Sequence, residues 1–368
     1  MKEIFERIAQ INDPRQAHKT KHKLIDVVVI VLFSMLAGAE IWEDIQMFAV
    51  SNEGLLRKYI ELPNGIPSHD TMQRVMSLIE PETMRKIQTL WNEMLMRGDG
   101  EKLKKIINID GKTMRSSAVL DNHPLHVVSA WSKEDGVCFG QTAVKEKENE
   151  ITAIPKLVNT LNIRGQVITI DAMGTQTKIA DQIVEQKGHY VLAVKGNQTD
   201  LCDDIRMYFE DEEFRTASAY KRTVEKARSQ IEKREYYQTD NIEWLPNKKR
   251  WKGLRSIGMT VNTMRKGEET TVEKRYYISS LSTDVELFCK AVRGHWAIES
   301  MHWQLDVTFR EDYNKTLDRN AALNLNILRK MCLPILKMLN IGMKASLRSK
   351  RKAIGWNTAK YIEQIMNF

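Results

Sequence analysis

Two apolar runs that each end in an aspartate constrain the fold of this 368-residue chain more than any other feature. The run 105–109 leads into Asp110, and the run 167–170 leads into Asp171. Neither aspartate continues the apolar pattern, and each is followed by a small residue. The carboxyl ends of strands are where α/β sheets bind ligands. If the two strands are neighbours, the carboxylates lie side by side and repel each other unless a cation lies between them.

The predicted elements around these runs follow an order that favours one fold class. A meander of three strands is followed by alternating helices and strands, in the order β-β-β-α-β-α-β-α. Strands are predicted at 105–110, 125–131, 137–144, 167–170 and 190–194, and helices at 150–161, 176–186 and 200–210. This order predicts an α/β protein with a mixed sheet and flanking helices, as in the ribonuclease-H-like fold.

Changes in the predicted secondary structure along the sequence divide the chain into five predicted segments. They are an all-helical N-terminal segment (1–98), the first part of an α/β core (99–212), a β-rich insertion (213–281), the last part of the core (282–315) and a basic helical C-terminal segment (316–368). In the first segment, the capping residue Ser68 and the short helix after it resemble a helix-turn-helix DNA reader. In the insertion, strands are predicted at 229–238, as an exposed edge, and at 255–264 and 273–280.

The last third of the chain is predicted to be mainly helical. Thr283-x-x-Glu286 forms a capping box that opens one helix. Gly294 separates it from a second stretch that runs to Val307. A long helix follows at 320–340, with Pro334 as a kink.

Composition and charge narrow the class of protein. The chain has 56 basic and 48 acidic residues, a net charge of +8, which favours phosphate-rich partners. Nine basic residues and no acidic ones fall within 329–360, so the rest of the chain sums to −1. The apolar run Val27–Ala39 is too short to span a bilayer and predicts a buried helix. The four cysteines lack metal-ligand spacing, which predicts reduced thiols in a cytoplasmic protein.

A third carboxylate follows late in the chain. His295, Glu299, His302 and Asp306 share one helical face by their spacing. Two strand-end aspartates and a helical glutamate form the minimal set for two hard divalent ions, Mg²⁺ or Mn²⁺. Such ions activate a water or a 3′-hydroxyl and stabilise the leaving oxygen of an in-line phosphoryl displacement.

Each of these carboxylates also has an ordinary structural interpretation. Either aspartate alone fits a turn or a helix cap, and Glu299 alone fits a solvated helix face. The titratable stripe also suggests zinc, but it lacks the His-Glu-x-x-His spacing. Only the strand order and the three carboxylates together favour a metal-dependent nuclease site.

Several blocks resemble the ISAs-type, or H-repeat-associated, DDE transposases of bacterial insertion sequences. They are Leu62–Thr71, Ile109–Thr113, Asn149–Pro155, Asp171–Gln176, Tyr190–Gln198, Arg293–Trp303 and Leu305–Asp312. The resemblance implies a ribonuclease-H-like core with a β-rich insertion, and a catalytic, metal-binding triad of Asp110, Asp171 and Glu299. It also implies two metal ions per site, double-stranded DNA as partner and a homodimer on DNA.

One departure from the family pattern affects the residues around Glu299. Related transposases carry a Tyr-x2-Arg-x3-Glu-x6-Lys signature, but this chain has Val292, His295 and Asp306 at the other three positions. The DNA-end contacts that the Arg and Lys of that signature make in related transposases therefore cannot be assigned to the same positions of this chain. We expect His295 and Arg293 to substitute for them.

The remaining predicted DNA contacts fall into two groups. Near the aspartates, the candidates are Lys112, Arg115, Lys195 and Asn197, although Asn197 also fits a helix cap. At the C-terminal end the candidates are Arg348, Lys350, Arg351 and Lys352, which also fit a solvated linker. The expected function is transposition, by cutting element ends and joining 3′-hydroxyls to target DNA. The alternatives are a nuclease without strand transfer and an inactive, transposase-derived DNA-binding protein.

Overall fold

The computed structural model describes residues 2–10, 13, 15–16, 18, 20–96, 105–118, 123–145, 148–227 and 230–368. The helices are α1 (Lys2–Ala9), α2 (Leu24–Ala37), α3 (Trp42–Ser51), α4 (Glu53–Leu56), α5 (His69–Leu78), α6 (Pro81–Leu95), α7 (Glu150–Thr160), α8 (Thr177–Glu185), α9 (Thr199–Glu210), α10 (Glu212–Ala217), α11 (Val285–Val307), α12 (Arg319–Met338), α13 (Leu347–Trp356) and α14 (Thr358–Met366). The strands are β1 (Ile106–Met114), β2 (Leu125–Ser132), β3 (Val137–Val144), β4 (Val167–Ile170), β5 (His189–Val194), β6 (Ala219–Ala227), β7 (Gln230–Thr239), β8 (Ser256–Lys266) and β9 (Glu269–Ser279).

All nine of these strands form one mixed sheet, in the order β3-β2-β1-β4-β5-β9-β8-β7-β6. The pairs β1–β4 and β4–β5 are parallel, and the other pairs are antiparallel. The predicted succession of five strands and three helices between residues 105 and 210 is confirmed, with bounds that differ by a few residues. Strand β1 is longer than predicted, since it continues past Asp110 to Met114. Its pairing with β4 nevertheless stops at the Ile109–Ile170 pair, and β2 alone accompanies the rest of β1.

The predicted β-rich insertion prolongs the core sheet. Strand β9 pairs antiparallel with β5, and β8, β7 and β6 follow outward. The prediction that 229–238 is an exposed edge strand was wrong, because β7 lies between β8 and β6, and β6 is the edge strand on that side of the sheet. The sequence of β6, Ala-Tyr-Lys-Arg-Thr-Val-Glu-Lys-Ala, gave little strand signal. Its large apolar side chains, Tyr220 and Val224, are exposed, so no buried apolar face marks the strand.

Helix α11 is a single helix where two stretches were predicted. Its N-cap is Asp284, whose side chain accepts a hydrogen bond from the Leu287 amide, and not Thr283 of the predicted capping box. The helix passes through Gly294 without a break. A Cβ at Gly294 would lie 3.0 Å from Asn108 Oδ1 and 3.3 Å from Ile106 Cγ2. The glycine therefore permits close approach to β1 and does not end the helix.

The hydrophobic interior has two main parts. One lies on the sheet, under α7, α8 and α9. The other joins the N-terminal helices to the end of α11, to α12 and to α13 and α14. Helix α2 is buried along almost its whole length, as predicted. Three of the four free cysteines are buried and the fourth is half-buried.

Hydrogen bonds also join the N-terminal and C-terminal helices. Asn324 on α12 donates through Nδ2 to the carbonyls of Met76 and Ile79, both at 2.8 Å. Trp42 Nε1 donates to Thr316 Oγ1 at 2.9 Å. Among the described residues, no single helix is long and apolar enough to cross a membrane, although α2 and α3 reach that length together across a 97° bend.

Candidate active site

The register between β1 and β4 places two carboxylates next to each other. Ile109 is paired with Ile170 in the parallel ladder, and Asp110 and Asp171 are the next residues on each side. The Gly174 amide donates to Asp171 Oδ1 at 3.0 Å. The Thr175 hydroxyl oxygen lies 3.0 Å from the carbonyl oxygen of Asp171 and 2.6 Å from that of Ala193, so the chain after β4 is fixed to β5. The predicted adjacency of the two aspartates is therefore a consequence of the sheet register.

Helix α11 brings Glu299 to the same place. A hydrogen-bonded chain connects it to the two strands: Thr169 Oγ1 donates to Asn108 Oδ1 at 2.8 Å and lies 3.2 Å from His295 Nδ1. Asn108 Nδ2 donates to the Trp131 carbonyl, which extends the chain to β2. Because His295 stands one helical turn before Glu299, these bonds fix α11 close to the glutamate.

The three predicted carboxylates line one cavity of about 780 Å³. We call it the carboxylate cavity. Its wall includes Asp110, Asp171, Glu299, His295, Trp296, Lys195 and Asn197, and also Arg275 from β9. The predicted triad thus shares one cavity, although its members come from positions 61 and 128 residues apart in sequence.

Burial and neighbouring negative charge both act on Asp110 in the carboxylate cavity. Burial above all, together with the neighbouring carboxylates of Asp171, Glu150 and Glu299, raises the pKa of Asp110 to about 7. Like charges gathered in this way favour either protonation or a bound cation. Carboxylate oxygens are the ligands that Mg²⁺ and Mn²⁺ prefer. In the part of the chain that the structure describes, however, no three His, Cys, Asp or Glu side chains are already arranged to hold a metal ion.

Glu150 and His126 also belong to this neighbourhood, and sequence reasoning missed both. Glu150 is the first residue of α7, after the N-cap Asn149, and its Oε1 lies 2.6 Å from His126 Nε2. His126 Nδ1 lies 2.9 Å from Thr113 Oγ1, its partner across the β1–β2 ladder. A Cβ at Gly111 would lie 2.3 Å from Glu150 Oε1 and 2.4 Å from His126 Nε2. The glycine after Asp110 was the available signal, since it marks a close approach by other side chains.

His302 is a further neighbour of Asp110. Its Nδ1 lies 3.5 Å from Asp110 Oδ2. Burial, together with the nearby charges of Lys330 and Lys112, lowers the pKa of His302 to about 3, so the ring is neutral near pH 7. Its Nε2 is buried without a hydrogen-bond partner. The predicted stripe on α11 therefore contacts β1 at Asp110 through His302 and at Lys112 through Asp306.

Comparison with known proteins identifies the family. Residues 101–334 match the family described as "Transposase DDE domain", and residues 5–92 match "DDE_Tnp_1-associated". The chain belongs to the DDE transposase family. This confirms the predicted family resemblance.

Two relatives resemble this DDE transposase family member over nearly its whole length. "Putative transposase YncI" of Escherichia coli O157:H7 is 37% identical over 372 residues, which cover 99% of this chain and 94% of the relative. "H repeat-associated putative transposase YhhI" of Escherichia coli K12 is 38% identical, with 96% and 95% covered. A cryo-EM structure of the piggyBac transposase synaptic complex with hairpin DNA has 11% identity and a TM-score of 0.47, with 100% of this chain and 80% of that chain covered.

Among the predicted DNA contacts of this DDE family member, Lys195 and Asn197 line the carboxylate cavity. Lys195 is exposed there. Asn197 Nδ2 donates to the Ala172 carbonyl at 2.5 Å, so this side chain holds the segment that follows Asp171. Arg115 is exposed just after β1, and Asp312 Oδ1 accepts a hydrogen bond from its backbone amide at 3.0 Å.

Three other predicted contacts are engaged within the protein. Lys112 is 9% exposed and forms ion pairs with Asp306 at 2.7 Å and Glu311 at 3.1 Å, so it is not free for DNA. Arg293 pairs with Glu225 and does not line the carboxylate cavity. His295 does line it, but burial lowers its pKa to about 4, so it carries no positive charge near pH 7.

The C-terminal basic cluster divides between the surface and the interior. Arg348 and Lys352 are exposed, and Lys350 donates to the Lys337 carbonyl at 3.1 Å. Arg351 is 4% exposed and donates to the carbonyls of Met35, Thr308 and Ala39. The prediction that Arg351 contacts DNA directly is therefore corrected, because its guanidinium is held inside the protein.

Proposed function

We propose that this chain is the transposase of a bacterial insertion sequence, which cuts the element ends and joins their 3′-hydroxyls to target DNA. The observation that carries the proposal is the adjacency of Asp110 and Asp171 in the β1–β4 register, in a cavity that Glu299 also lines. The names of its full-length relatives support the same function. The strand order β3-β2-β1-β4-β5, with parallel β1, β4 and β5, supports a ribonuclease-H-like core.

The carboxylate cavity suits divalent metal ions by its chemistry. Asp110, Asp171 and Glu299 supply oxygen ligands. The pKa of Asp110 is raised first by burial and then by the negative charge of neighbouring carboxylates, which a cation would neutralise. When bound, two Mg²⁺ or Mn²⁺ ions supply activation of the attacking hydroxyl and stabilisation of the leaving oxygen. Lys195, exposed at the cavity wall, is placed to hold a DNA phosphate. Asn197 and Gly174 hold the backbone around Asp171 in place.

The division into five segments remains our proposal, with one refinement. Residues 1–98 and 316–368 share a hydrophobic core, so we assign both to one helical body beside the α/β core. The family match of residues 5–92 to the transposase-associated region supports a role for this body in transposition.

An assay with labelled element-end DNA, a target plasmid and Mg²⁺ tests the proposed function. The wild-type chain should give cleaved ends and joined product. We expect Asp171→Asn to reduce both by at least about a hundredfold, because the substitution removes a metal-binding carboxylate. Asp240→Asn, an exposed carboxylate outside the cavity, is the matched control.

Each other outcome of this assay indicates a different function. Cleavage without joined product would indicate a nuclease that uses water alone. Binding of end DNA with neither cleavage nor joining would indicate an inactive DNA-binding protein. Full activity of Asp171→Asn would contradict the assignment of the triad.

A further inference from the structure

A second cleft, of about 420 Å³, lies between the ends of α2 and α11 and one face of α13. We call it the α13 cleft. Its volume is within the range of small-ligand sites, about 300–1,000 Å³. Its wall includes Gly38, Glu40, Val307, Arg310, Arg348, Lys352 and Trp356, with Arg351 at its base. None of the three carboxylates of the proposed catalytic triad lines it.

Helix α13 presents an unusual face to this cleft. Arg348, Lys352 and Trp356 are spaced i, i+4 and i+8, so they lie along one side of the helix. Trp356 is 82% exposed, more than any other large hydrophobic side chain that the structure describes. Another side of α13 is buried through Arg351 and Ile354. The exposure of Trp356 is therefore not the result of a loosely attached helix.

Close packing holds α13 in position. A Cβ at Gly355 would lie 2.7 Å from the backbone oxygen of Ala37, so the helix touches the end of α2 there. Ser346 caps the helix by accepting a hydrogen bond from the Ser349 amide. Trp356 thus projects from a fixed element, which lowers the entropic cost of stacking a ligand on its ring.

The charge of the cleft favours an anion. Arg351 stacks over the Phe309 ring at 4.6 Å and donates to three backbone carbonyls, with no ion-pair partner among the described side chains. Burial lowers the pKa of Arg351 to about 10, which still leaves it protonated near pH 7. The acid in the wall, Glu40, is paired with Arg310 at 2.9 Å. Within the described part of the chain, Arg348 and Lys352 have no acidic partner, so the cleft carries excess positive charge.

We infer that the α13 cleft binds an unpaired nucleotide of DNA, with its base stacked on Trp356 and its phosphates held by Arg348 and Lys352. An exposed aromatic ring flanked by basic side chains is the usual platform for unpaired bases. The choice of DNA as the occupant rests on the proposed function. Eight residues of α11 separate Glu299 from Val307 in the cleft wall, about 12 Å along the helix axis. A DNA strand that reaches the carboxylate cavity can thus also reach the α13 cleft a few nucleotides further along.

Fluorescence anisotropy with the full chain in EDTA tests this inference apart from catalysis. Two labelled duplexes are compared, identical except that one contains a single unpaired thymidine. Trp356→Ala should weaken binding of the duplex with the unpaired base by about fivefold to a hundredfold, the range for loss of one stacked base. Its binding of the fully paired duplex should change little. Trp356→Phe should restore most of the lost affinity, because it keeps an aromatic face.

The basic residues are tested by salt dependence. The double variant Arg348→Ala/Lys352→Ala should weaken binding and flatten the dependence of log K on log salt by about one for each lost phosphate contact. The control is a second double variant, Lys344→Ala/Lys360→Ala, which loses the same charge at exposed sites outside the cleft. An equal effect of both would mean that only net charge matters, which would overturn the assignment of the cleft.

Other results also overturn the inference. If Trp356→Ala binds both duplexes as the wild type does, no base stacks on Trp356. If Trp356→Ala instead abolishes self-association in analytical ultracentrifugation and leaves DNA binding intact, the cleft is a contact between copies. The strand-transfer assay separates this inference from the proposed function. If the chain shows no strand transfer but still prefers the unpaired base in a Trp356-dependent way, the proposed function is wrong and the inference about the cleft stands.

Discussion

At the scale of single residues, buried charges next to the carboxylate cavity depend on partners from distant parts of the chain. Glu311 Oε1 accepts from Asn326 Nδ2 at 2.8 Å and lies 3.3 Å from Arg329 Nη1, while Oε2 lies 3.1 Å from Lys112 Nζ. Burial raises the pKa of Glu311, but Arg329 and Lys112 outweigh it and hold this pKa below its usual range. Lys112 stands two residues after Asp110, so this cluster joins the aspartate's strand to α12.

Glu311→Gln should lower the free energy of unfolding by about 3–5 kcal/mol at pH 7, because it leaves buried cations without their partner. A carboxyl with a depressed folded-state pKa stabilises the protein above its ordinary pKa and loses this effect as the pH falls through the folded value. The difference from wild type should thus be complete at pH 7 and narrow below about pH 4.3. Urea unfolding at several pH values measures it. Glu82→Gln, which breaks a surface pair with Arg85, should cost only about 0–1 kcal/mol.

At the scale of elements, α11 shows what local patterns can and cannot predict. The spacing of His295, Glu299, His302 and Asp306 correctly predicted a shared face, because a helix has one fixed period. The same local reasoning interpreted Gly294 as a helix break. In the structure, the glycine instead leaves room for the side chain of Asn108, which is 186 residues earlier in the chain. Residues 316–368 were predicted to be helical, but α13 and α14 were not predicted as separate helices, because the basic residues of α13 hide a short buried face.

Gly294→Ala tests the close contact between α11 and β1. The added Cβ would lie 3.0 Å from Asn108 Oδ1, so the Asn108 side chain and α11 must move apart by a few tenths of an ångström, next to the two aspartates. Strand transfer should fall about tenfold to a hundredfold, since small displacements of catalytic groups have effects of this size. The free energy of unfolding should change by under about 1 kcal/mol, because the higher helix propensity of alanine offsets the crowding. Ser300→Ala, at an exposed position of the same helix, should leave activity unchanged.

At the scale of the whole molecule, sequence reasoning predicted the order of the first five strands and brought the three carboxylates of one cavity together, but it did not predict that the two ends of the chain pack together. Strand order follows from local patterns and from general rules of connection. The shared helical core depends on contacts between segments about 300 residues apart, such as the one between Cys332 and Leu32. Arg351 is buried by these contacts, through bonds to the carbonyls of Met35 and Ala39. Arg329 and Lys330 are buried by other partners, Glu311 for Arg329 and Ser129 and Gln141 for Lys330. The nine basic residues of 329–360 are therefore not all surface charge.

Residues 1–98 should therefore not fold as an independent domain. Helix α2 is buried on all sides, and its neighbours include α12 and α13 from the other end of the chain. Expressed alone, 1–98 would expose this apolar helix to water and lose the bonds from Asn324 to Met76 and Ile79. We expect aggregation, or circular dichroism without a cooperative thermal transition. Co-expression of 1–98 with 99–368 should restore a soluble complex, since the second piece supplies the missing surfaces. A cooperative unfolding transition of 1–98 alone would show that the N-terminal helices form their own core and that the C-terminal helices only rest on it.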